Sequence, residues 1–219
     1  MKMTKKKVFT VALAVCLIAI LSLSSLAWFS ASDDVTNNFL VAGSDDGNPN
    51  DIFSINVTEE GDEEDDGLTY NDILPGDLLD KNVTVTNTGS YDQYIRVLVE
   101  ITDGAAWTAA MGEDYPIENC FVGFDETKWD CDTVYIQSKD VILVVAYGKE
   151  ILPAKENNSI QLFSNVKIPE SLTKEQAAAF KGGFDITVKA HAVQTENVGD
   201  YAFAAFQTVG WSAFEDYTD

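Results

Sequence analysis

Apolar and polar residues alternate along several short segments of the chain, and this alternation limits the fold more than any other feature. In residues 53–58 and 186–192 every second side chain is apolar. Successive side chains of a β-strand point to opposite faces of its sheet, so these segments are typical of strands with one buried face. Residues 141–145 are apolar at every position, which predicts a central strand covered on both faces. About eight such segments, separated by polar turns, predict an all-β fold: a jelly-roll-like antiparallel β-sandwich with a few short helices.

Two pairs of these segments are separated by short polar stretches, which predicts that each pair forms adjacent strands. Residues 83–86 and 95–101 alternate, and they flank the turn-forming residues 87–90, Asn-Thr-Gly-Ser. Residues 133–136 and 141–147 flank a second polar turn. Because consecutive antiparallel strands usually lie side by side, we expect each pair to be hydrogen-bonded neighbours.

Two short helices are predicted in the C-terminal part of the chain. Thr173 and Gln176 have the spacing of a capping box, in which each side chain accepts from a backbone N–H of the other residue. They predict a helix that runs through Phe180. Residues 200–209 predict a last helix that ends at Gly210, because glycine readily adopts the left-handed conformation that closes many helices.

The chain is strongly acidic, with 36 Asp and Glu against 14 Lys and Arg and a net charge of −22. Four of the lysines lie within the first seven residues, so the rest of the chain carries 10 basic against 36 acidic side chains, a net charge of −26. Such a body is repelled by nucleic-acid phosphates and by anionic lipid surfaces. Nucleic acid is therefore excluded as a partner.

The first 27 residues have the three parts of a secretory signal peptide: a basic start, an apolar run and then small residues. This order predicts export and cleavage between Ala27 and Trp28 by a signal peptidase, with cuts after Ser30 or Ser32 as alternatives. The membrane is then a partner only through the signal peptide before cleavage. An uncleaved membrane anchor is the other interpretation, because the apolar run approaches the length of a membrane span.

Residues 28–50, after the signal, form an extended N-terminal leader and linker, and residues 51–219 form the sandwich domain. Val35, Phe39 and Val41 fall on one parity of the leader, so they share a face if it is extended. An extended peptide can add to an exposed sheet edge, and head-to-tail addition of this kind makes filaments. The leader is therefore a candidate self-assembly strand. A first strand packed on its own protomer is the alternative.

Three parts of the sequence, taken in order, carry a resemblance to a known family. They are Ala27-Trp28-Phe29; Leu74-Pro75-Gly76-Asp77 with Val83-Thr84-Val85-Thr86-Asn87-Thr88-Gly89-Ser90 and Tyr94-Ile95-Arg96-Val97; and Ile151-Leu152-Pro153-Ala154 with Leu162-Phe163-Ser164-Asn165-Val166-Lys167-Ile168-Pro169, Phe184-Asp185-Ile186 and Ala190-His191-Ala192-Val193-Gln194. This set resembles the TasA/camelysin family of Gram-positive exported proteins, whose signal peptides are of the type processed by SipW. The resemblance runs through most of the chain.

The resemblance implies a jelly-roll sandwich that is exported to the cell surface or the biofilm matrix. It also implies self-assembly into fibres, in which the new N-terminal segment of one subunit fills a gap in the sheet of the next. The chain lacks the long lysine-rich insertions and tail of TasA. Camelysin-like members are described as metallo-endopeptidases, so a metal-dependent surface endopeptidase is the alternative function. A monomeric surface binding module that uses exposed tyrosines and acidic loops is a third.

Catalytic chemistry has little support in the sequence, and we assign no catalytic residue and no cofactor. His191 is the only histidine and lies outside any His-Glu-x-x-His pattern, so zinc enters only under the endopeptidase alternative. Its parity in the strand is opposite to that of the apolar residues, which predicts that it faces solvent. Arg96 is the only arginine, and we expect it to form a structural ion pair.

Two further groups of residues are candidates for structural roles. The acidic run that contains Asp62, Glu63, Asp65 and Asp66 offers oxygen ligands for a weak calcium site, although a solvated charged loop is the favoured interpretation. The cysteines that remain after signal removal are Cys120 and Cys131, and the exported location allows a disulfide between them. Two small buried thiols are the alternative.

Overall fold

Nine strands and three α-helices lie in the part of the chain that the structure, a computed structural model, describes. The described residues are 30–34, 54–60, 70, 72–111, 117–180 and 183–217. The strands are β1 (Ser30–Asp34), β2 (Ile55–Glu60), β3 (Leu78–Asn87), β4 (Gln93–Thr102), β5 (Phe121–Val122), β6 (Trp129–Ile136), β7 (Val141–Gly148), β8 (Ser159–Lys167) and β9 (Ile186–Gln194). The helices are α1 (Gly104–Met111), α2 (Lys174–Ala177) and α3 (Ala202–Val209), with short 3₁₀ helices at Ile117–Cys120 and Glu215–Tyr217.

The strands form two antiparallel sheets, which confirms the predicted all-β sandwich. The five-stranded sheet has the order β1-β9-β4-β7-β6, and the four-stranded sheet has the order β2-β3-β8-β5. Val85 and Phe163 of the smaller sheet share one apolar core with Val97, Val99 and Val188 of the larger sheet. Burial of each such side chain stabilises the fold by roughly 1.5–3 kcal/mol, so this core is the main source of stability.

The outer face of the five-stranded sheet is also covered, by α3 and the residues that follow it. Phe206 of α3 belongs to a second apolar cluster with Tyr94 and Val193, and Ala213 belongs to a third with Leu98. β4 is therefore buried on both faces, although its sequence alternates as if one face were exposed to water. The molecule has a third layer on this side.

The prediction that residues 83–86 and 95–101 form a hairpin is wrong, because β3 and β4 lie in different sheets. β3 pairs with β2 and β8, and β4 pairs with β7 and β9, so neither strand has an edge left for the other. The buried Asn87 side chain holds the crossing between the sheets. Its amide donates to the carbonyl oxygen of Leu152 at 3.0 Å and accepts from Gln93 at 2.9 Å.

The other local predictions about strand pairs and helices are largely confirmed. β6 and β7 pair as predicted, and residues 141–145 of β7 are buried on both faces. Thr173 and Gln176 form the capping box, although α2 ends at Ala177 rather than at Phe180. α3 ends at Gly210, which has a φ of 73°.

Several predicted features lie outside the described residues. They are the signal peptide of residues 1–27, the leader side chains Val35, Phe39 and Val41, and the carboxylates Asp62, Glu63, Asp65 and Asp66. These assignments stay predictions. Within the described ranges, no helix has the length and apolar character needed to cross a membrane.

Candidate functional site

The N-terminal strand β1 lies at one edge of the five-stranded sheet, where it pairs with β9. The pairing is antiparallel and places Ser32 opposite His191 and Asp34 opposite Lys189. In β9, Ala190 contributes to the core between the sheets, whereas Lys189 and His191 belong to the outer face. Main-chain hydrogen bonds of an edge strand do not depend on its side chains, so this edge is a site where an extended segment can bind.

A row of directly opposite residues crosses the whole five-stranded sheet on its outer face. It consists of Ser32, His191, Arg96, Tyr147 and Asp130, one from each strand. Residues that are directly opposite on antiparallel strands share a face, with Cβ atoms about 4.5–5.5 Å apart. β9, the strand next to β1, is therefore joined to the centre of the sheet by neighbouring side chains.

Arg96 and His191 form the buried centre of this row. Arg96 is fully buried, and its Nη1 donates to the carbonyl oxygen of Trp211 at 2.8 Å. Its Nη2 donates to Nδ1 of His191 at 2.7 Å and lies 3.4 Å from the carbonyl oxygen of Ser212. Because a guanidinium only donates, Nδ1 must be the accepting nitrogen, which assigns the proton of a neutral imidazole to Nε2.

Aromatic rings enclose this pair from the solvent side. The ring of Trp211 stacks on His191 with a centroid separation of 4.3 Å and an interplanar angle of 21°. The guanidinium carbon of Arg96 lies 4.3 Å from the centroid of the Phe206 ring and 5.4 Å from that of Trp211. Both rings lie within the range of a cation–π interaction, which partly compensates the desolvation of the buried charge.

The surroundings shift the pKa values of both groups downwards. Burial, with the positive charges of Arg96 and Lys189, lowers the pKa of His191 from 6.5 to about 3. Burial also lowers the pKa of Arg96 below its usual value, and Tyr147 partly opposes this effect. His191 is therefore neutral at pH 7, and the cluster carries the single charge of Arg96.

One prediction about this cluster is wrong. His191 does not face solvent, because 9% of its surface is exposed. Its parity is the predicted one, but Trp211 covers that face. Arg96 has the predicted structural role: it donates to two carbonyl oxygens and an imidazole, and the charge of Glu215 partly opposes the lowering of its pKa.

The covering residues Phe206 and Trp211 were not among the sequence predictions, although one signal points to them. The outward positions of β4 and β9 include Tyr94, Leu98 and Val193, which are apolar. Apolar residues on both parities indicate a strand that is covered on both faces. Applied to β4 and β9, this rule predicts a cover over Arg96 and His191.

The residues around His191 do not fit a zinc site. Within the residues that the structure describes, no three His, Cys, Asp or Glu side chains lie close enough together to hold a metal ion. Nδ1 of His191 accepts from Arg96, whose positive charge opposes a second cation at short range. The endopeptidase alternative therefore gains no support from the only histidine.

A cleft of about 210 Å³ opens beside the cluster, between α3, the residues after it and β6–β7. Tyr147, Trp211 and the exposed rings of Phe203 and Phe214 line it, with Asp132 on β6. Its volume is below the roughly 300 Å³ at which pockets for drug-sized ligands begin. It has room for one side chain or one small ring.

Both cysteines belong to the core between the sheets. Cys120 is buried at the end of the first 3₁₀ helix, and Cys131 is half-buried in β6 and packs against the core between the sheets. Cys120 directly precedes Phe121, and Cys131 follows Trp129 by two residues. Both aromatic residues belong to the same core. The disulfide between them stays a prediction.

Comparison with known proteins identifies no relative of this chain. No protein-family model, no curated protein and no solved structure matches it. The resemblance to the TasA/camelysin family therefore rests on the sequence segments alone.

Proposed function

We propose that the chain is exported, loses its signal peptide and assembles head to tail into fibres at the cell surface or in the biofilm matrix. The leader, residues 28–42, of one copy pairs with β9 of the next copy. The observation that carries this proposal is the position of β1, the first described strand, at the edge of the five-stranded sheet against β9. Because β1 lies at an edge of its sheet, the same strand of another copy can take its place while the order of the other strands stays unchanged.

The chain between β1 and β2 is long enough for such an exchange. β1 ends at Asp34 and β2 begins at Ile55, so 20 residues connect them. A chain of that length spans at most about 65 Å, whereas a domain of this size is about 40 Å across. The strand therefore has the reach to pair with a neighbouring copy.

Pairing with the same copy and pairing with another copy use the same main-chain bonds. The balance between them depends on the effective concentration that the connecting chain gives to its own strand, which is in the millimolar range for short flexible linkers. Fibres are then expected to form at high local protein concentration, as on a crowded cell surface. The resemblance to TasA supports the same function, and the net charge of −26 that remains after signal removal keeps unassembled copies soluble.

Removal of residues 28–42 is expected to abolish fibres while the sandwich remains folded. The strand that completes the next copy is then missing, and the core between the sheets is retained. Electron microscopy compares fibre formation by the exported unmodified protein and by the exported deletion variant, and N-terminal sequencing of the unmodified sample should find Trp28 as the first residue. Far-ultraviolet circular dichroism checks the fold.

A second variant separates strand pairing from the length of the leader. Ser32→Pro combined with Asp33→Pro removes two adjacent N–H groups, so one of them points to β9 whichever parity pairs. This variant should lose fibres as the deletion does, whereas Lys155→Glu in an exposed loop should assemble normally. Persistence of fibres in the deletion variant would refute assembly through the leader.

A second candidate function is favoured by the cleft beside α3. Its aromatic rings and Asp132 fit a monomeric surface binding module, which holds one small ring or side chain of a partner. A single sharp monomer peak at high protein concentration, without fibres in the microscope, favours this function over assembly.

A further inference from the structure

We propose that Lys189 sets the register in which the leader strand pairs with β9, and that it selects the acidic strand of another copy of this chain. The inference rests on the proposed function, since it concerns the same site. It adds the residue that decides which strand pairs with β9 and in which register it pairs.

The register of β1 brings together the two charges that define it. Asp34 lies opposite Lys189, and Asp33 lies opposite Ala190. At pH 7 Lys189 is the one charged residue of β9, because the low pKa of His191 keeps that imidazole neutral. The two aspartates of β1 are at its C-terminal end, so the register places an acidic residue opposite Lys189 at one position only.

Other registers lose either this match of charges or the orientation of the strand's two faces. A shift by one residue moves every side chain of the strand to the other face of the sheet. A shift by two residues keeps the faces but places Asp34 opposite Thr187 or His191, neither of which is charged at pH 7. Opposite charges that face each other stabilise a strand pair and like charges destabilise it, so Lys189 favours one register among those that keep the faces.

Lys189 has a second acidic neighbour, but the contact is long. Its Nζ lies 3.8 Å from Oδ2 of Asp216, whose side chain is 69% exposed. An ammonium group has three donors, so Lys189 can interact with another carboxylate. After signal removal the chain has a net charge of −26, so an acidic strand that approaches a second copy is generally repelled, and Lys189 supplies a local attraction at the pairing site.

Charge exchange between the two positions tests the inference in the full chain expressed for export. Asp34→Lys and Lys189→Glu, each alone, place like charges opposite each other, and the critical concentration for fibre formation should rise about tenfold. The double variant restores opposite charges and should assemble as the unmodified protein does. In 1 M salt the defect of each single variant should shrink, because the Debye length falls to about 3 Å.

A mixture of the two single variants gives the sharpest result. The leader of Asp34→Lys carries a lysine, which fits the glutamate at position 189 of Lys189→Glu. The leader of Lys189→Glu carries an aspartate, which fits the lysine at position 189 of Asp34→Lys. An equimolar mixture should therefore assemble, although neither component does at the same concentration. This rescue occurs only when one copy supplies the strand to another.

Matched controls and the deletion variant separate the possible failures. Lys155→Glu and Glu156→Lys make the same charge changes in an exposed loop and should assemble normally. Normal assembly of the single variants overturns the inference, and so does a defect that neither the double variant nor the mixture repairs. If deletion of residues 28–42 abolishes fibres in the same experiment, the proposed function stands even where the register inference fails.

Discussion

Replacement of Arg96 by methionine is expected to lower the free energy of unfolding by about 2–6 kcal/mol. Arg96 is fully buried and donates to the carbonyl oxygen of Trp211 and to Nδ1 of His191. Methionine has a similar length but no donor, so both acceptors remain buried without one, at a cost of about 1–3 kcal/mol each. Urea unfolding followed by tryptophan fluorescence measures the change.

The matched control removes a positive charge that is exposed to solvent. The Nζ of Lys128 lies 3.7 Å from Oδ2 of Asp125, and both side chains are accessible to water. Lys128→Met is expected to change the free energy of unfolding by less than about 1 kcal/mol. If Arg96→Met also lowers the free energy of unfolding by less than 1 kcal/mol, Arg96 does not hold the C-terminal cover, which consists of α3 and the residues that follow it, on the sheet.

Arg96 connects the C-terminal cover to the strand that is the candidate assembly edge. Its own strand, β4, is the neighbour of β9, and its guanidinium contacts His191 of β9 and Trp211 of the cover. The cover therefore occupies the outer face of β9 and leaves the edge of that strand to β1. Face and edge are held by different forces, aromatic packing on the face and main-chain hydrogen bonds at the edge.

The sequence was sufficient to predict the class of the fold because period-two alternation depends on local geometry. β9 lies where the alternation places it, β7 lies where the continuous apolar run places it, and the glycine at position 210 ends α3 as expected. The pairing of strands was less predictable, since it depends on contacts between distant residues. The turn after β3 has the composition of a hairpin, but Asn87 uses its side chain to cross between sheets.

The candidate site shows the same division between local and distant information. The parity of Arg96 and His191 was predictable, because it is a property of the strand. Their burial was not, because it is produced by Phe206 and Trp211, which lie at the other end of the chain from β4. A polar residue on the outer face of a strand is exposed only if no later segment packs on that face, and local periodicity carries no information about that.

Acidification from pH 7 to pH 4 is expected to lower the free energy of unfolding by about 3 kcal/mol through His191 alone. The pKa of His191 in the folded protein is about 3, because burial and the charges of Arg96 and Lys189 disfavour the imidazolium. In the unfolded chain the same group has a pKa of about 6.5. Between these two values unfolding takes up one proton, so stability falls as the pH falls from 6.5 towards 3. Above about pH 7 both states carry the neutral imidazole, and the contribution of His191 to the pH dependence vanishes.

His191→Gln isolates this contribution, because glutamine does not titrate and its side-chain oxygen still accepts from Arg96. At pH 7 the variant should be less stable than the unmodified protein by about 1 kcal/mol, since it loses the stack on Trp211. As the pH falls to 4 this difference should shrink and then reverse. The carboxylates that titrate in the same range are common to both proteins, so the difference between their urea-unfolding curves, measured at steps of about half a pH unit, reports His191 alone. Parallel curves would mean that the imidazole takes up its proton equally in the folded and unfolded states, and therefore that Trp211 does not shield it from water.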